Sequence, residues 1–174
     1  FVVGHIGRFT YQKNHGFLID IFQEVYRKNP KAVLLLAGEG ELEGEIRRKA
    51  ERLGLEQAVI FYGTCQDTSL LYQAMDVFCL PSFYEGFGLV ALEAQCGGLS
   101  VVASKEVPRE IALFDDISFL SLKEKAEVWA EELLHADKNE KKRQDAWKQI
   151  EKRGFSIQKE AGELLEYYAV KSGK

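Results

Sequence analysis

The chain has 174 residues, of which 46% are hydrophobic and 29% charged, and its net charge is −4 with a pI near 5.5. This length suffices for one domain with a real core, and the acidic balance excludes the global basic field that attracts nucleic acid. No run of about eighteen apolar residues and no charged-then-apolar leader occurs, so we expect a soluble chain.

Strand-like and helix-like patterns alternate along the chain. Six short apolar runs bounded by glycine, proline or charge predict strands at residues 2–6, 32–37, 59–62, 77–80, 99–103 and 117–120. Their apolar character is typical of parallel strands that are buried on both faces. The three cysteines, Cys65, Cys79 and Cys96, form no C-x-x-C pair, and they indicate reduced thiols in the cytoplasm.

Helical spacing of apolar residues separates the strand-like runs. The first such pattern is formed by Phe17, Leu18, Ile21, Phe22 and Val25. It predicts a helix that begins after an Asn14 cap and ends before Pro30. A second pattern is formed by Leu42, Ile46, Ala50 and Leu53. We expect this second helix to end at Gly54.

The C-terminal part of the chain is predicted to be helical after residue 122. Four residues there fall on apolar faces: Trp129, Leu133, Trp147 and Ile150. Repeated strand–helix units predict an α/β fold, a Rossmann-like three-layer domain with a parallel sheet of about six strands and a helical C-terminal tail. No linker or internal repeat interrupts residues 1–174, so we predict a single domain.

The segment after the fourth strand carries the clearest functional signal. Residues 82–93 join an apolar run to a helix-like run through a turn that contains Gly86 and Gly88. The first amides of a helix have no internal partner and, with the helix dipole, favour an anion. We expect both glycines to let a ligand approach the backbone and to adopt dihedral angles that a Cβ would forbid.

Two carboxylates flank this turn. Glu85 and Glu93 are eight positions apart, which on a helix is about 12 Å, and carboxylates accept hydrogen bonds from hydroxyl groups. The spacing favours a ligand with hydroxyls at both ends and a diphosphate in the middle, as in a nucleotide-sugar. The alternative is a surface turn in which Glu85 is solvated and Glu93 pairs with a lysine.

Cations lie in the loop after the first strand. Gly7, Arg8 and Lys13 would share the carboxyl edge of a parallel sheet with the segment after the fourth strand. Arg8 offers a planar fork of donors and Lys13 a compact charge, so both could meet a diphosphate. The alternative is that they are two exposed loop cations.

Three further patterns carry weaker signals. Gly38-x-Gly40-x-x-x-Gly44 has one residue too many for a dinucleotide fingerprint, and its acidic residues would repel a pyrophosphate, so we predict a simple turn. His5 and His15 are expected to be packed or capping residues, although His15, beside Lys13, remains a candidate cleft residue. Asp115-Asp116 is not an Asp-x-Asp pair, so we predict no metal ion and no cofactor.

The motif Pro81-Ser82-x-x-Glu85-Gly86-Phe87-Gly88-Leu89-Val90-x-x-Glu93-Ala94 resembles the Glu-x7-Glu signature of the retaining glycosyltransferases of family four. Three further segments are similar to family segments: Gly7-Arg8-Phe9-x-x-x-Lys13-Asn14-His15, Leu36-Ala37-Gly38-Glu39-Gly40 and Val59-Ile60-Phe61-Tyr62-Gly63. The resemblance is close over about residues 2 to 110 and looser in the tail, at Phe155-Ser156 and at Leu164-Leu165-x-Tyr167-Tyr168.

The resemblance implies the GT-B fold, in which two Rossmann-like domains face each other across a cleft. The chain would then be the C-terminal, donor-binding half of an enzyme whose N-terminal acceptor domain is absent, and alone it is expected to be inactive. The implied donor-binding residues are Gly7, Arg8, Lys13, Ser82, Glu85, Gly86, Phe87, Gly88, Leu89, Val90 and Glu93.

The resemblance also implies catalytic roles. Glu85 would orient the donor sugar, Glu93 would bind ribose hydroxyls, and Arg8 and Lys13 would stabilise the leaving diphosphate without a metal ion. The anomeric configuration would be retained, by a covalent intermediate or by same-face attack; both routes remain open.

The segment from Ser104 to Glu110 replaces a Gly-Gly-x-x-Glu segment found in many members. In this it is similar to the subgroup that builds capsular and exopolysaccharides, which implies a UDP-sugar donor and a glycan or lipid-linked acceptor. The acceptor, and any membrane contact at the inner face, would involve the missing half. No nucleic-acid partner is expected.

Two other classes of protein remain as alternatives. One is a nucleotide-binding module without catalysis, which would tolerate the loss of Glu85, a residue that is present here. The other is a nucleotide-sugar epimerase or dehydrogenase on a similar sheet. A dehydrogenase should carry a strict G-x-G-x-x-G after its first strand, and Gly4-His5-Ile6-Gly7-Arg8 does not supply it.

Overall fold

The computed structural model describes residues 1–114, 117–136, 146, 148 and 157–171. The predictions that concern Asp115-Asp116, Trp147, Ile150 and Phe155-Ser156 lie outside the described residues. Trp129 and Leu133 are fully buried, as the helical pattern after residue 122 predicts.

The six predicted strands form one parallel sheet. They are β1 (Val2–Ile6), β2 (Val33–Ala37), β3 (Val59–Gly63), β4 (Val77–Leu80), β5 (Ser100–Ser104) and β6 (Ile117–Leu120). The strand order is β3-β2-β1-β4-β5-β6, and every neighbouring pair is parallel. The order reverses between β1 and β4, so the loops after these two strands flank the crevice where such sheets bind ligands.

Helices cover both faces of the sheet. The described helices are α1 (His15–Lys28), α2 (Glu43–Arg52), α3 (Ser69–Ala74), α4 (Leu89–Cys96), α5 (Ala126–Leu134) and α6 (Ile157–Lys171), with 3-10 turns at Tyr11–Lys13 and Arg109–Ile111. In the described part of the chain, no helix combines the length and the apolar character needed to cross a membrane.

Successive strand residues point to opposite faces and build two cores. Leu34 and Leu36 of β2 pack in the cluster that includes apolar residues of α1, α2 and α5. Leu35 and Ala37 pack in the cluster that includes residues of α3 and α4. The predicted Rossmann-like three-layer arrangement is therefore confirmed, and burial of these apolar faces is what holds the layers together.

Helix α1 begins directly after Asn14, as predicted, but the Asn14 side chain does not cap it. Asn14 has a left-handed backbone (φ 54°, ψ 42°), and its side chain makes no capping hydrogen bond to the helix. Its Nδ2 instead donates to the carbonyl of Pro81 at 3.1 Å. The expected Asn14 side-chain cap is therefore wrong, because the side chain reaches across to the loop after β4. The second helix ends as expected, with Gly54 at φ +69°.

The turn after β2 supports the loop after β1. The amide of Gly7 donates to the carbonyl of Ala37 at 2.9 Å, and the amide of Phe9 donates to that of Glu39 at 3.0 Å. Gly38 has φ +139°, and a Cβ there would lie 2.2 Å from the backbone oxygen of Gly7. The glycine-rich segment is thus a turn, as predicted, and its role is to let two backbones approach.

Candidate functional site

The loops after β1 and β4 are joined directly. The amide of Phe83 donates to the carbonyl of Gln12 at 2.8 Å, and Gln12 Nε2 donates to the carbonyl of Tyr84 at 2.9 Å. The rings of Tyr11 and Phe83 stack with their centroids 4.6 Å apart. The prediction that both loops lie at one edge of the sheet is confirmed.

Glu85 lies at the centre of this junction. Its Oε1 accepts hydrogen bonds from Lys13 Nζ at 2.7 Å and from Ser82 Oγ at 2.6 Å. Its Oε2 lies 3.2 Å from Gln12 Nε2, which donates to it. The side chains of Glu85 and Lys13 are only 7% and 14% exposed. Hydrogen bonds from three side chains therefore hold the Glu85 carboxylate in place. The alternative, in which Glu85 is a solvated surface residue, is wrong.

Lys13 is paired in the structure and is not an exposed loop cation. Because an ammonium group has three donors, the bond to Glu85 leaves it able to meet a further acceptor. Arg8, by contrast, is exposed. Gly7 packs tightly between His5 and Lys13. A Cβ on it would lie 3.0 Å from His5 Nε2 and 3.1 Å from Lys13 Cε.

Helix α4 begins at the predicted place. Gly88 precedes it with φ 88°, and a Cβ there would lie 3.2 Å from Val107 Cγ1. Leu89 and Val90 open the helix, so their amides lack helical partners. Because α4 begins only at Leu89, the eight residues from Glu85 to Glu93 are not helical throughout. The separation of about 12 Å, which follows from the rise of a helix, therefore does not apply.

The two glycines of the turn differ. The dihedral prediction is correct for Gly88 and wrong for Gly86, which is not in the left-handed region. A Cβ at Gly86 would meet no atom within 4 Å, so the space beside its backbone is open. Phe87, between them, is 41% exposed, and Leu89 is 61% exposed.

Glu93 faces a cavity on the other side of α4. Its Oε2 accepts a hydrogen bond from the Tyr72 hydroxyl at 2.8 Å. Burial, with the hydrogen bond to Glu93, raises the pKa of Tyr72, so the hydroxyl stays a donor. Among the described residues the partner of Glu93 is thus Tyr72 and not a lysine. The cavity measures about 470 Å³ and is lined by Gln66, Asp67, Thr68, Ser69, Tyr72, Gln73, Glu93, Cys96 and Gly97.

A second cavity of about 220 Å³ lies at the carboxyl ends of β1 and β2. Arg8, Gly7 and Gly38 line it on one side, and Thr64, Cys65 and Thr68 on the other. Thr68 also lines the cavity beside Glu93. The two cavities therefore share Thr68 as a lining residue.

The sequence interpretation missed three parts of this site. Gln12 adjoins a predicted residue, but nothing local indicates that it reaches Glu85. Tyr72 is only 3% exposed, and a buried tyrosine hydroxyl needs a partner, which could have indicated a polar neighbour. The segment 64–73 follows β3, so the carboxyl-edge rule could also have included it.

The segment from Ser104 to Glu110 supports the motif from behind. Ser104 is fully buried, and its hydroxyl donates to the carbonyl of Ser82 at 2.6 Å. Ser82 is itself fully buried and donates to Glu85. Ser104 therefore helps to hold Glu85 in place through Ser82.

His5 and His15 form a packed pair behind Lys13. They are 0% and 2% exposed, and their ring centroids are 4.7 Å apart. His5 Nδ1 lies 2.8 Å from the carbonyl of Cys79 and donates to it, and His15 stacks on Phe9. Burial is the main cause that lowers the pKa of His5 to about 4 and that of His15 to about 2. Both are packed residues, and His15 does not line the cleft.

This pair should make stability depend on pH. Because the native state keeps both imidazoles neutral, the unfolded chain binds more protons below pH 6.5. The contribution of the two histidines to the free energy of unfolding should be complete above that pH. Toward pH 4 the free energy of unfolding should fall by about 1.4 kcal/mol per pH unit for each histidine of the pair. His15→Phe keeps the stack on Phe9 and should remove one of the two contributions. Urea titrations at several pH values measure the slopes; equal slopes for both proteins would contradict the prediction.

Comparisons with known proteins agree with this geometry. A family model described as glycosyl transferases group 1 matches residues 1–153. EpsF of Bacillus subtilis (strain 168), whose name describes a glycosyltransferase, is 33% identical over 99% of this chain and 46% of its own length. The amylovoran biosynthesis glycosyltransferase AmsD of Erwinia amylovora is 35% identical over 61% of this chain and 30% of its own length. The chain thus spans less than half the length of either relative.

Two solved structures share the fold. HepE of Anabaena, crystallised with UDP, is 25% identical with a TM-score of 0.77 and covers 98% of this chain and 49% of its own. The C-terminal domain of LpcC from Francisella tularensis is 24% identical with a TM-score of 0.72 and covers 90% of this chain and 87% of its own. From the family match over residues 1–153, with the motif residues at the crevice, it follows that the chain belongs to the glycosyl transferases group 1 family.

Proposed function

We propose that this chain is the donor-binding half of a glycosyltransferase that moves a sugar from a UDP-sugar to a glycan or lipid-linked acceptor. The observation that carries the proposal is the convergence of Lys13, Ser82 and Gln12 on Glu85 at the start of α4. The UDP bound by HepE and the name of AmsD support the donor and a role in exopolysaccharide or capsule synthesis.

The donor would lie along the carboxyl edge of the sheet. The sugar meets Glu85, the diphosphate meets the first amides of α4 together with Arg8 and Lys13, and the ribose meets Glu93. The nucleobase then occupies the cavities between Thr64 and Gly97. This order is supported by the positions of the two carboxylates on either side of the α4 start and by the two cavities that share Thr68.

The chemistry follows from the charges. Breaking the bond between the anomeric carbon and the diphosphate puts positive charge on the sugar and negative charge on the leaving group. Arg8, Lys13 and the α4 amides stabilise the leaving diphosphate by preorganised electrostatics, without a metal ion. Glu85 orients the sugar and stabilises its positive charge. We propose retention of the anomeric configuration on the family resemblance.

The remainder of the enzyme would be a second domain. The match to nearly all of the LpcC C-terminal domain but to less than half of EpsF supports the assignment of residues 1–174 to a C-terminal domain. The acceptor would bind on the other domain, which would also carry any membrane contact, so transfer needs both halves. Three cysteines without disulfides support a cytoplasmic location.

Binding of a nucleoside diphosphate tests the proposal. We expect calorimetry to show UDP binding by residues 1–174 in excess EDTA, with an affinity that added magnesium leaves unchanged, because protein groups already supply the positive charge. GDP and ADP titrations identify the base preference. Affinity that disappears in EDTA and returns with magnesium would overturn the metal-free mechanism, and no binding of any nucleotide would overturn the proposed function.

A further inference from the structure

We propose that Gln12 is a positioning residue that determines which oxygen of Glu85 receives the donor sugar. The inference rests on the proposed function, in which Glu85 holds that sugar. It starts from an asymmetry in the site: the two oxygens of the Glu85 carboxylate accept different numbers of hydrogen bonds.

The Oε1 atom of Glu85 is fully used. It accepts from the Lys13 ammonium at 2.7 Å and from the Ser82 hydroxyl at 2.6 Å. Since a carboxylate oxygen offers about two lone-pair sites, no good acceptor position remains there. Among the described residues, Oε2 accepts only from Gln12 Nε2, at the longer distance of 3.2 Å. A sugar hydroxyl therefore meets Glu85 at Oε2, beside the amide of Gln12.

Gln12 is itself held in a fixed orientation. Its backbone carbonyl accepts from the amide of Phe83 at 2.8 Å, and its Nε2 donates to the carbonyl of Tyr84 at 2.9 Å as well as to Glu85. Both acceptors are oxygens, so the amide nitrogen and not its oxygen must face them. Each of the two amide protons therefore has one acceptor. The Glu85 carboxylate is held by Gln12 at Oε2 and by Lys13 and Ser82 at Oε1.

The neutral amide matters as much as its position. Lys13 already compensates the charge of Glu85. A second cation at Oε2 would compete with the sugar for the carboxylate, and a second carboxylate would repel it. Glutamine supplies a donor without adding charge, so Oε2 keeps its strength as an acceptor for a hydroxyl group.

The test measures the donor increment, defined as the affinity for a UDP-sugar divided by the affinity for UDP. UDP-glucose, UDP-galactose and UDP-N-acetylglucosamine are titrated into residues 1–174, and the sugar with the largest increment is kept. Gln12→Ala should lower the increment about tenfold, with UDP affinity within about twofold of wild type. The exposed Gln57→Ala is the matched control, and thermal unfolding shows that each variant is folded.

Gln12→Glu separates positioning from a merely structural role. At pH 8 the introduced carboxylate lies against Glu85, repels it and should abolish the increment. At pH 5 the pair is more readily protonated than at pH 8, because like charges at this distance favour uptake of a proton, and the single O–H can then donate from one carboxyl group to the other, although the Tyr84 carbonyl loses its donor. The increment, taken relative to wild type at the same pH, should therefore return. Gln57→Glu should show no such pH dependence.

The outcomes distinguish the two levels of inference. If wild type shows no increment for any UDP-sugar, or if Glu85→Gln retains it, the assignment of Glu85 to the sugar fails. If Glu85→Gln abolishes the increment but Gln12→Ala and Gln12→Glu retain it at both pH values, the role of Gln12 fails and the proposed function stands. Equal losses of UDP and UDP-sugar affinity in the Gln12 variants would also overturn the positioning role.

Discussion

Glu85→Gln should abolish the preference for UDP-sugar over UDP without weakening UDP itself. The amide keeps the shape of the side chain but removes the charge that, under the proposed function, receives the sugar hydroxyl, an interaction worth about 1.5–3 kcal/mol. UDP affinity should be unchanged or higher, because Lys13, whose ammonium now lies 2.7 Å from Glu85, is freed to meet the diphosphate. Calorimetry with the two ligands measures both effects. In a protein that joins this chain to the proposed acceptor domain, kcat should fall more than KM rises.

Glu93→Gln is the matched comparison for this variant. It removes the proposed ribose acceptor and should weaken UDP and UDP-sugar equally, by about 1.5–3 kcal/mol. Tyr72 can still donate to the amide oxygen, so the fold should be kept. If Glu85 controlled UDP affinity and Glu93 affected only the sugar, the two assignments would be reversed. If neither variant changed binding, the motif would have only a structural role.

Gly38→Ala should cause a large loss of stability. The residue has φ +139°, a region that side chains rarely adopt, and the new Cβ would lie 2.2 Å from the backbone oxygen of Gly7. Backbone strain alone costs about 1–3 kcal/mol, and the contact with a backbone atom cannot be relieved by a rotamer change. We expect the free energy of unfolding, measured in urea, to fall by about 3 kcal/mol or more. UDP affinity should fall as well, because the loop that carries Gly7 and Arg8 must move.

Gly44→Ala provides the control. Gly44 lies in α2, and the nearest atom to its new Cβ would be the flexible end of Arg48 at 3.5 Å. Alanine in a helix is favoured over glycine by up to about 1 kcal/mol, so this variant should be as stable as wild type or more so. Equal stability of the Gly38→Ala variant and wild type would contradict the proposed close packing of the two turns.

The sheet could be predicted from the sequence because short apolar runs bounded by glycine or charge are typical of parallel strands that are buried on both faces. Predicted and observed strand bounds differ by at most one residue. The α4 start was predictable for a similar reason, since the strand, the glycines and the apolar run are adjacent in the chain.

The finer parts of the site depend on contacts that no local pattern encodes. Gln12 and Glu85 are 73 positions apart, and Tyr72 and Glu93 are 21 apart. Asn14 was correctly predicted to precede α1, but its side chain does not cap the helix because it donates instead to Pro81 in a distant loop. Gly86 and Gly88 could not be distinguished in the sequence, since only the backbone geometry shows which of them needs the freedom of glycine.

The ion pair between Lys13 and Glu85 also has a consequence for how the site comes into existence. It joins residues 72 positions apart, and two of the three strands between them, β2 and β3, lie on the far side of β1 from the third, β4. The carboxylate can thus gain Lys13 and Gln12 as partners only after a long loop has closed and β4 has paired with β1, which is a slow type of contact to form. A nascent chain that ends before Glu85 would lack the proposed sugar site. Under the proposed function, donor binding would therefore indicate that β4 has paired with β1.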